Sequence, residues 1–144
     1  MRKYRVGYTQ GTFDMFHIGH LNLIRNACSQ CDKLIVGVNS DELVWQYKNK
    51  HPVINECDRA EIIKALRYVD SVIICDTLDK NRIWNVIHFN AIFIGDDWKG
   101  NERWIQTEVD LSALGVEVVY LQHTDGISST LLRTRENDKV IDKE

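Results

Sequence analysis

Five short runs of β-branched, aromatic and other apolar residues recur along the chain, and helix-length stretches separate them. The runs occupy residues 4–9, 34–38, 72–75, 91–94 and 116–121. Their nearly continuous apolar character is typical of strands that are covered on both faces. Strands that alternate with helices predict an α/β fold: a single Rossmann-like, doubly wound domain with a five-stranded parallel sheet and helices on both faces.

The stretches between these runs carry apolar residues at helical spacing. Predicted helices cover residues 21–28, 57–69, 82–89 and 103–114. Asp58 is a plausible N-cap of the second, because a short carboxylate side chain can accept hydrogen bonds from the first free N–H groups of a helix.

Length and composition indicate one compact domain. The chain has 144 residues, of which 44% are hydrophobic, and this is enough for a single core. We expect the domain to span residues 1–135 and the polar tail, residues 136–144, to fray.

Charge and hydropathy exclude two classes of partner. A formal net charge of -3 gives no basic field for nucleic acid. No apolar stretch approaches the ~20 residues of a membrane span, so no membrane insertion is expected. Residues 1–14 lack the apolar block of a signal peptide, and a cytoplasmic protein is the simplest expectation.

The four cysteines are expected to be reduced thiols in such a compartment. Cys28 and Cys31 form a C-x-x-C pair, which would also suit a redox pair or half of a zinc site. No second C-x-x-C follows, and ordinary packing or surface thiols are the favoured interpretation.

Polar loops follow four of the five predicted strands. They are GTFDMFHIGH (11–20), NSDELV (39–44), GDDWKG (95–100) and QHTDGISST (122–130). The carboxyl ends of parallel strands meet at one edge of a sheet, where doubly wound domains bind their ligands. These loops therefore predict a binding site at the carboxyl edge of the sheet.

Two histidines in the first loop flank a glycine. His17 and His20 would suit either a metal site or a clamp for phosphate, but the other histidines are scattered and give no coherent ligand set. Gly11 and Gly19 would allow the backbone to approach a ligand closely. A helix that begins near Gly19 would direct free N–H groups at an anion, and phosphate is favoured over two structural histidines.

The last loop combines small hydroxyl residues with a cation. Ser128, Ser129 and Thr130 follow Gly126, and Arg133 lies one turn further on. The hydroxyls would serve equally as N-caps or as ligands of a polyphosphate. Together with the histidine loop they indicate a ligand with several phosphates, such as a nucleoside triphosphate.

These motifs carry a family resemblance. G-T-F-D-x-x-H-x-G-H together with G-I-S-S-T resembles the H-x-G-H nucleotidyltransferase superfamily. Within it, GTFDMFHIGH, RYVDSV, GDDWKG and TDGISST are most similar to the bacterial glycerol-3-phosphate cytidylyltransferases and their relatives that act on choline or ethanolamine phosphate. The resemblance runs from about residue 4 to about residue 133.

The resemblance implies an enzyme that transfers CMP from CTP to a phosphorylated alcohol and releases pyrophosphate. Glycerol 3-phosphate is the favoured acceptor, which would give CDP-glycerol, a precursor of cell-surface polymers. Cytidylyl or adenylyl transfer to a polyol, choline, ethanolamine or sugar phosphate is the alternative. Mg²⁺, held mainly by the triphosphate rather than by an assigned set of side chains, and a homodimer are also implied.

The resemblance also assigns site residues. The catalytic set is His17, His20, Lys50 and Arg59. The nucleotide-binding set is Gly11, Thr12, Phe13, His17, His20, Gly95, Asp97, Thr124, Gly126, Ile127, Ser128, Ser129, Thr130 and Arg133. The acceptor-binding set is Asp14, Asp41, Lys50, Arg59, Arg67 and Trp98. Arg67 lies among apolar residues in the sequence, so we expect a buried guanidinium with an anionic partner.

One position departs from the cytidylyltransferase pattern. His123 stands where R-T-E-G-I-S-T-T has its arginine, and the I-S-S-T-x-x-R variant is closer to the wider superfamily, which includes adenylyltransferases. Two hypotheses of other classes are a regulatory module that binds nucleotide without turnover, and a thiol-redox protein built on Cys28 and Cys31.

Overall fold

A computed structural model describes residues 2–122 and 124. The elements in chain order are β1 (Tyr4–Gly11), α1 (Ile18–Cys28), β2 (Cys31–Asn39), α2 (Asp41–Lys48), α3 (Glu56–Lys64), β3 (Ser71–Cys75), α4 (Lys80–Ile87), β4 (Ala91–Gly95), α5 (Glu102–Ser112) and β5 (Glu117–Leu121). A single 3₁₀ turn, Asp96–Trp98, follows β4.

All five predicted strands are present in one parallel sheet. The strand order is β3-β2-β1-β4-β5, with every neighbouring pair parallel. The chain builds outward from β1 to β3 on one side, then crosses to β4 and β5 on the other. Ligands of such sheets bind in the crevice where the order reverses, here between the carboxyl ends of β1 and β4. The predicted α/β, doubly wound fold is confirmed.

Each face of the sheet has its own hydrophobic core. Alternate residues of β2 separate the two: Leu34 and Val36 belong to the core beneath α1 and α3, whereas Ile35 packs on the core beneath α4 and α5. Buried Ile24 and Ile63 supply the first core from its helices. Successive residues of a strand point to opposite faces, and helices cover both faces of this sheet. Residues on both faces of a strand therefore contact a core, which explains the continuous apolar runs in the sequence.

Two local expectations were wrong. The loop predicted after β2 is largely helix α2, which Ser40 caps by accepting a hydrogen bond from the Leu43 N–H. The N-cap of α3 is Asn55 rather than Asp58; the Asn55 side chain accepts from the Asp58 N–H at 2.9 Å. Both helices begin before their first apolar residues. The N-cap is set by a short polar side chain, so the apolar pattern alone does not show where the helix starts.

Several predictions lie outside the described residues. These are the roles given to His123, Gly126, Ile127, Ser128, Ser129, Thr130 and Arg133, and the fraying of residues 136–144. Within the described part of the chain, no helix combines the length and the apolar character needed to cross a bilayer.

Candidate functional site

A cavity of about 440 Å³ opens at the carboxyl edge of the sheet. Residues that follow all five strands line it, from Thr12 after β1 to Thr124 after β5. The loop between β3 and α4, which the sequence did not single out, contributes Leu78. The expectation that the polar loops meet at one edge is met by their described residues.

His17 and His20 shape the start of α1. His17 is the N-cap, and its Nδ1 accepts a hydrogen bond from the Gly19 N–H at 3.0 Å. His20 Nδ1 accepts from the His17 N–H at 3.3 Å, and the two rings stack with centroids 3.7 Å apart. The two imidazoles thus form a capping box, a role that Ser or Thr and Glu or Gln more often play.

The capping hydrogen bonds fix where the proton sits on each ring. Because both Nδ1 atoms accept, a neutral imidazole at either position carries its proton on Nε2. His17 Nε2 is buried and has no hydrogen-bond partner within the described structure. An orphaned buried donor on a residue that lines the cavity is a group that a ligand oxygen would satisfy.

Burial keeps both imidazoles neutral. Burial lowers the pKa of His17, and burial together with the nearby His17 lowers the pKa of His20 to about 3, with Asp14 opposing. Both rings are therefore neutral at pH 7, with an N–H available to donate. An arriving polyphosphate would raise both pKa values by its charge.

This arrangement predicts an acid-sensitive fold. The folded pKa of His20 is below the unfolded value of about 6.5, so below that pH the unfolded chain binds an extra proton. The contribution of the neutral His20 ring to the free energy of unfolding is complete above pH 6.5. It should fall on acidification, with a limiting slope of about 1.4 kcal/mol per pH unit for one proton. Urea titrations between pH 7 and pH 5 measure the slope; His20→Gln should flatten it, and an unchanged slope would contradict the assignment.

The residues before α1 hold the histidines in place. Phe13 is buried, and its ring meets the His20 ring edge-on at 5.4 Å. Phe13 and Met15 both have positive φ, of 53° and 50°, a conformation that costs free energy for residues other than glycine and that clusters at functional sites. The Thr12 hydroxyl is 3.1 Å from the Tyr47 hydroxyl at the cavity wall.

Asp14 has a structural task that the sequence did not predict. It is 4% exposed, and its carboxylate accepts hydrogen bonds from the backbone N–H groups of Val53 (2.8 Å) and Ile54 (2.9 Å). The carboxylate therefore ties the loop between α2 and α3 to the histidine loop. Asp14 is not among the residues that line the cavity, and its expected role at the acceptor stays a prediction.

Arg59 is buried, and four of its five N–H donors are hydrogen-bonded to other residues of the protein. Its guanidinium donates to the carbonyl oxygens of Ile54, Thr12 and Asn39, each at 2.8 Å, and pairs with Asp41. The side chain is 0% exposed and does not line the cavity. The pair therefore braces the loops that follow β1 and β2. The catalytic contact of Arg59 and the acceptor contact of Asp41 stay predictions.

Lys50 and Arg67 lie away from the cavity. Both are exposed and neither lines it. The expected burial of Arg67 was wrong, because α3 ends at Lys64 and leaves Arg67 in a surface turn. There its guanidinium donates to the Tyr68 hydroxyl at 3.0 Å.

The residues expected after β4 do reach the cavity. Gly95, Asp97 and Trp98 line it, together with Gly11, Thr12, Phe13, His17, His20 and Thr124 from the nucleotide set. A Cβ at Gly95 would lie 2.6 Å from Asp97 Oδ1, so a larger residue there would displace this carboxylate from the strand end. Thr124 accepts a hydrogen bond from Asn22 of α1 at 2.8 Å.

Sequence reasoning missed the cations of the cavity. Lys48, Lys80 and Arg103 line it, against a single carboxylate, Asp97, among its described lining residues. Lys80 is the first residue of α4, and Arg103 is the second residue of α5. Both helices follow the carboxyl end of a strand, and this position in the sequence could have indicated that the two cations lie at the cavity. An excess of cations suits an anionic ligand.

The described residues do not support a metal or redox centre. No three His, Cys, Asp or Glu side chains within residues 2–122 and 124 are placed to hold a metal ion. Cys28 and Cys31 are free thiols, and burial raises the pKa of Cys31 to about 11. A thiol that stays protonated is a poor nucleophile and a poor metal ligand.

Comparisons with known proteins find relatives over most of the chain. The chain is 36% identical over 132 residues to the bifunctional protein HldE of Nitrobacter winogradskyi, covering 91% of this chain and 27% of that protein. It is 38% identical over 133 residues to the bifunctional protein HldE of Rhodopseudomonas palustris (strain BisA53), covering 92% and 27%. The chain thus spans about a quarter of the length of these relatives.

A solved structure shares the fold. It is the lipopolysaccharide core biosynthesis protein from Thermoplasma volcanium GSS1, with a TM-score of 0.73, 24% identity, and coverage of 85% of this chain and 99% of that one. The family model described as Cytidylyltransferase-like matches residues 8–135, which include the histidine pair and most of the described cavity wall. The chain belongs to the Cytidylyltransferase-like family.

Proposed function

We propose that the protein is a nucleotidyltransferase that joins a nucleoside monophosphate to the phosphate of a phosphorylated alcohol and releases pyrophosphate. The observation that carries this proposal is the histidine pair at the start of α1. Its His17 Nε2 donor is buried without a partner among the described residues, and His17 and His20 both line a cavity rich in cations.

The chemistry needs positioning rather than a strong base. A phosphate monoester has a second pKa of about 6 and is largely a dianion at neutral pH. Its oxygen attacks the α-phosphorus of the nucleotide, a new P–O bond forms, and the bond from the α-phosphorus to the bridging oxygen breaks. That electron pair leaves with pyrophosphate. His17 and His20 would donate to the phosphate oxygens on which charge grows.

Mg²⁺ is proposed to enter on the triphosphate. No side-chain cluster of the described residues would hold it alone, and Asp97 is the one carboxylate they place at the cavity. When bound, the ion would neutralise charge on the departing pyrophosphate.

CTP and glycerol 3-phosphate are the substrates we favour, with CDP-glycerol as the product. The GTFDMFHIGH and GDDWKG motifs support this choice, and both contribute residues to the cavity. Adenylyl transfer to a sugar phosphate is the second candidate, favoured by His123 and the I-S-S-T-x-x-R pattern. The predicted homodimer remains a prediction.

A pyrophosphate-release screen tests the proposal. The protein is incubated with Mg²⁺, each of four nucleoside triphosphates and a panel containing glycerol 3-phosphate, phosphocholine, phosphoethanolamine and sugar phosphates. We expect release that requires both substrates and is fastest with CTP and glycerol 3-phosphate. Release only with ATP and a sugar phosphate would favour the second candidate. Nucleotide binding without release for any pair would indicate a regulatory module and overturn the proposal.

A further inference from the structure

A chain of side-chain hydrogen bonds runs from the interior of the protein to the cavity wall. The Tyr8 hydroxyl, on a residue that is 0% exposed, donates to Gln10 Oε1 at 2.8 Å. Gln10 Nε2 donates to Asn39 Oδ1 at 2.9 Å and to the Thr77 carbonyl oxygen at 3.0 Å. Gln10 and Asn39 line the cavity, whereas Tyr8 does not. The chemistry proposed above assigns no role to Gln10 or Asn39.

This chain of hydrogen bonds has a fixed direction. A carbonyl oxygen can only accept, so the nitrogen of the Gln10 amide must face Thr77. The second N–H of that nitrogen meets Asn39, which therefore turns its oxygen toward Gln10 and its own nitrogen away. Asn39 is 4% exposed, so a reversed amide would bring two nitrogens face to face where water cannot replace the lost hydrogen bond.

Asn39 transmits this direction to two hydroxyl groups in the cavity wall, those of Thr12 and Tyr47, which we call the hydroxyl pair. Asn39 Nδ2 donates to the Tyr47 hydroxyl at 3.2 Å and to the Thr12 hydroxyl at 3.4 Å, and the two hydroxyl oxygens are 3.1 Å apart. The pair has two protons, of which the hydrogen bond between the hydroxyls uses one. The other has no acceptor among the hydrogen bonds of the described residues and faces the cavity that both side chains line.

The backbone at both neighbours is held independently. Arg59 donates to the carbonyl oxygens of Thr12 and Asn39, each at 2.8 Å. With these backbone positions fixed, the remaining freedom is the rotation of the Asn39 side-chain amide. The hydrogen bond from Gln10 removes that freedom.

We propose that Gln10 is a positioning residue that makes the hydroxyl pair a donor to a phosphate oxygen of a bound substrate. Gln10 acts through Asn39, because both of its own N–H groups are engaged. The excess of cations in the cavity makes an anionic oxygen the expected acceptor, and a hydrogen bond to a charged group is roughly twice as strong as a neutral one. This inference rests on the proposed function and adds a neutral, directed donor to its site.

Gln10→Glu reverses the direction of the chain at nearly constant size. A carboxylate only accepts, so Asn39 would turn its N–H groups to it and its oxygen to the hydroxyl pair, which then uses both protons within the protein. We expect the Kd of CTP or of glycerol 3-phosphate, each measured alone by calorimetry, to rise about tenfold or more. The ligand whose Kd rises identifies the phosphate that the pair serves. Gln46→Glu, exposed on α2 and outside the cavity, is the matched control and should change neither Kd.

A new negative charge at the cavity wall would also repel phosphate, and a double-mutant cycle separates the two effects. Thr12→Val combined with Tyr47→Phe removes the hydroxyl pair. In that background Gln10→Glu can act only through its charge, so its effect on Kd should be at least about threefold smaller than in the wild-type background. An equal effect in both backgrounds, with all variants folded, would overturn the proposal.

A second measurement on the wild-type protein depends on no variant. The side-chain amide resonances of ¹⁵N-labelled protein are followed while CTP, glycerol 3-phosphate or inorganic phosphate is added. We expect the Asn39 amide resonances to shift as a phosphate draws the hydroxyl pair, and those of Asn26, exposed on α1, to stay in place. Unmoved Asn39 resonances at saturation would reject this inference alone. A shift in a protein that transfers no nucleotide would keep the inference and reject nucleotidyl transfer, so the two failures are distinguishable.

Discussion

Replacing His17 by asparagine is expected to lower kcat by about 10²–10³ while the fold is retained, because one donor to a developing phosphate charge is lost. Asparagine is a good N-cap, so its side-chain oxygen can take over the hydrogen bond that His17 Nδ1 accepts from the Gly19 N–H. The substitution therefore separates the two tasks of His17. The capping hydrogen bond is kept, whereas the Nε2 donor that we propose for the phosphate is lost.

The matched control is His88→Asn. His88 is exposed at the end of α4 with φ of 55°, a left-handed conformation that asparagine adopts readily. It lies outside the cavity, so kcat should be unchanged. Circular dichroism and thermal unfolding check that His17→Asn is folded. A folded variant with wild-type kcat would show that the His17 donor has no part in the reaction.

Replacing Arg59 by methionine is expected to destabilise the protein by about 3–5 kcal/mol, the usual cost of removing one member of a buried, hydrogen-bonded charge pair. Methionine fills much of the space but leaves the carbonyl oxygens of Thr12, Asn39 and Ile54 without their donor. Since Thr12 and Asn39 line the cavity, nucleotide affinity should fall with stability. Arg59→Lys should be intermediate, because one ammonium cannot reproduce the planar fork.

Arg67→Met is the control for this experiment. Arg67 follows the same helix but is exposed, and its guanidinium donates to the Tyr68 hydroxyl at the surface. The free energy of unfolding of the Arg67→Met protein, measured in urea, should differ from the wild-type value by about 0.5 kcal/mol or less. Equal losses for the two variants would mean that the buried network of Arg59 does not stabilise the fold as described.

The sheet and the histidine pair were predictable from the sequence because their signals are local. Each strand is buried on both faces, so its apolar run is visible without knowledge of its partners. The spacing of His17 and His20 around Gly19 placed the start of α1 within one residue of where it is. The same spacing predicted that the start of α1 binds phosphate.

The roles of the cations were not predictable because they depend on contacts far along the chain. Arg59 and Arg67 looked alike on one predicted helix, but only Arg59 meets carbonyl oxygens from the loops after β1 and β2. Lys80 enters the cavity because α4 and α5 pack on the same face of the sheet, which brings Trp104 beneath its ammonium. The periodicity of the sequence does not predict a contact between residues so far apart in the chain.

The most direct test of nucleotidyl transfer follows the label of the α-phosphate. Wild-type protein and His17→Asn are incubated with α-³²P-CTP, glycerol 3-phosphate and Mg²⁺, and the products are separated by chromatography. The wild type should place the label in CDP-glycerol with one pyrophosphate released per molecule formed, and the folded variant should do so at least a hundredfold more slowly, as expected for a lost phosphate donor. Label that leaves CTP only as CDP or CMP, with none in CDP-glycerol, or equal rates for both proteins, would contradict the account.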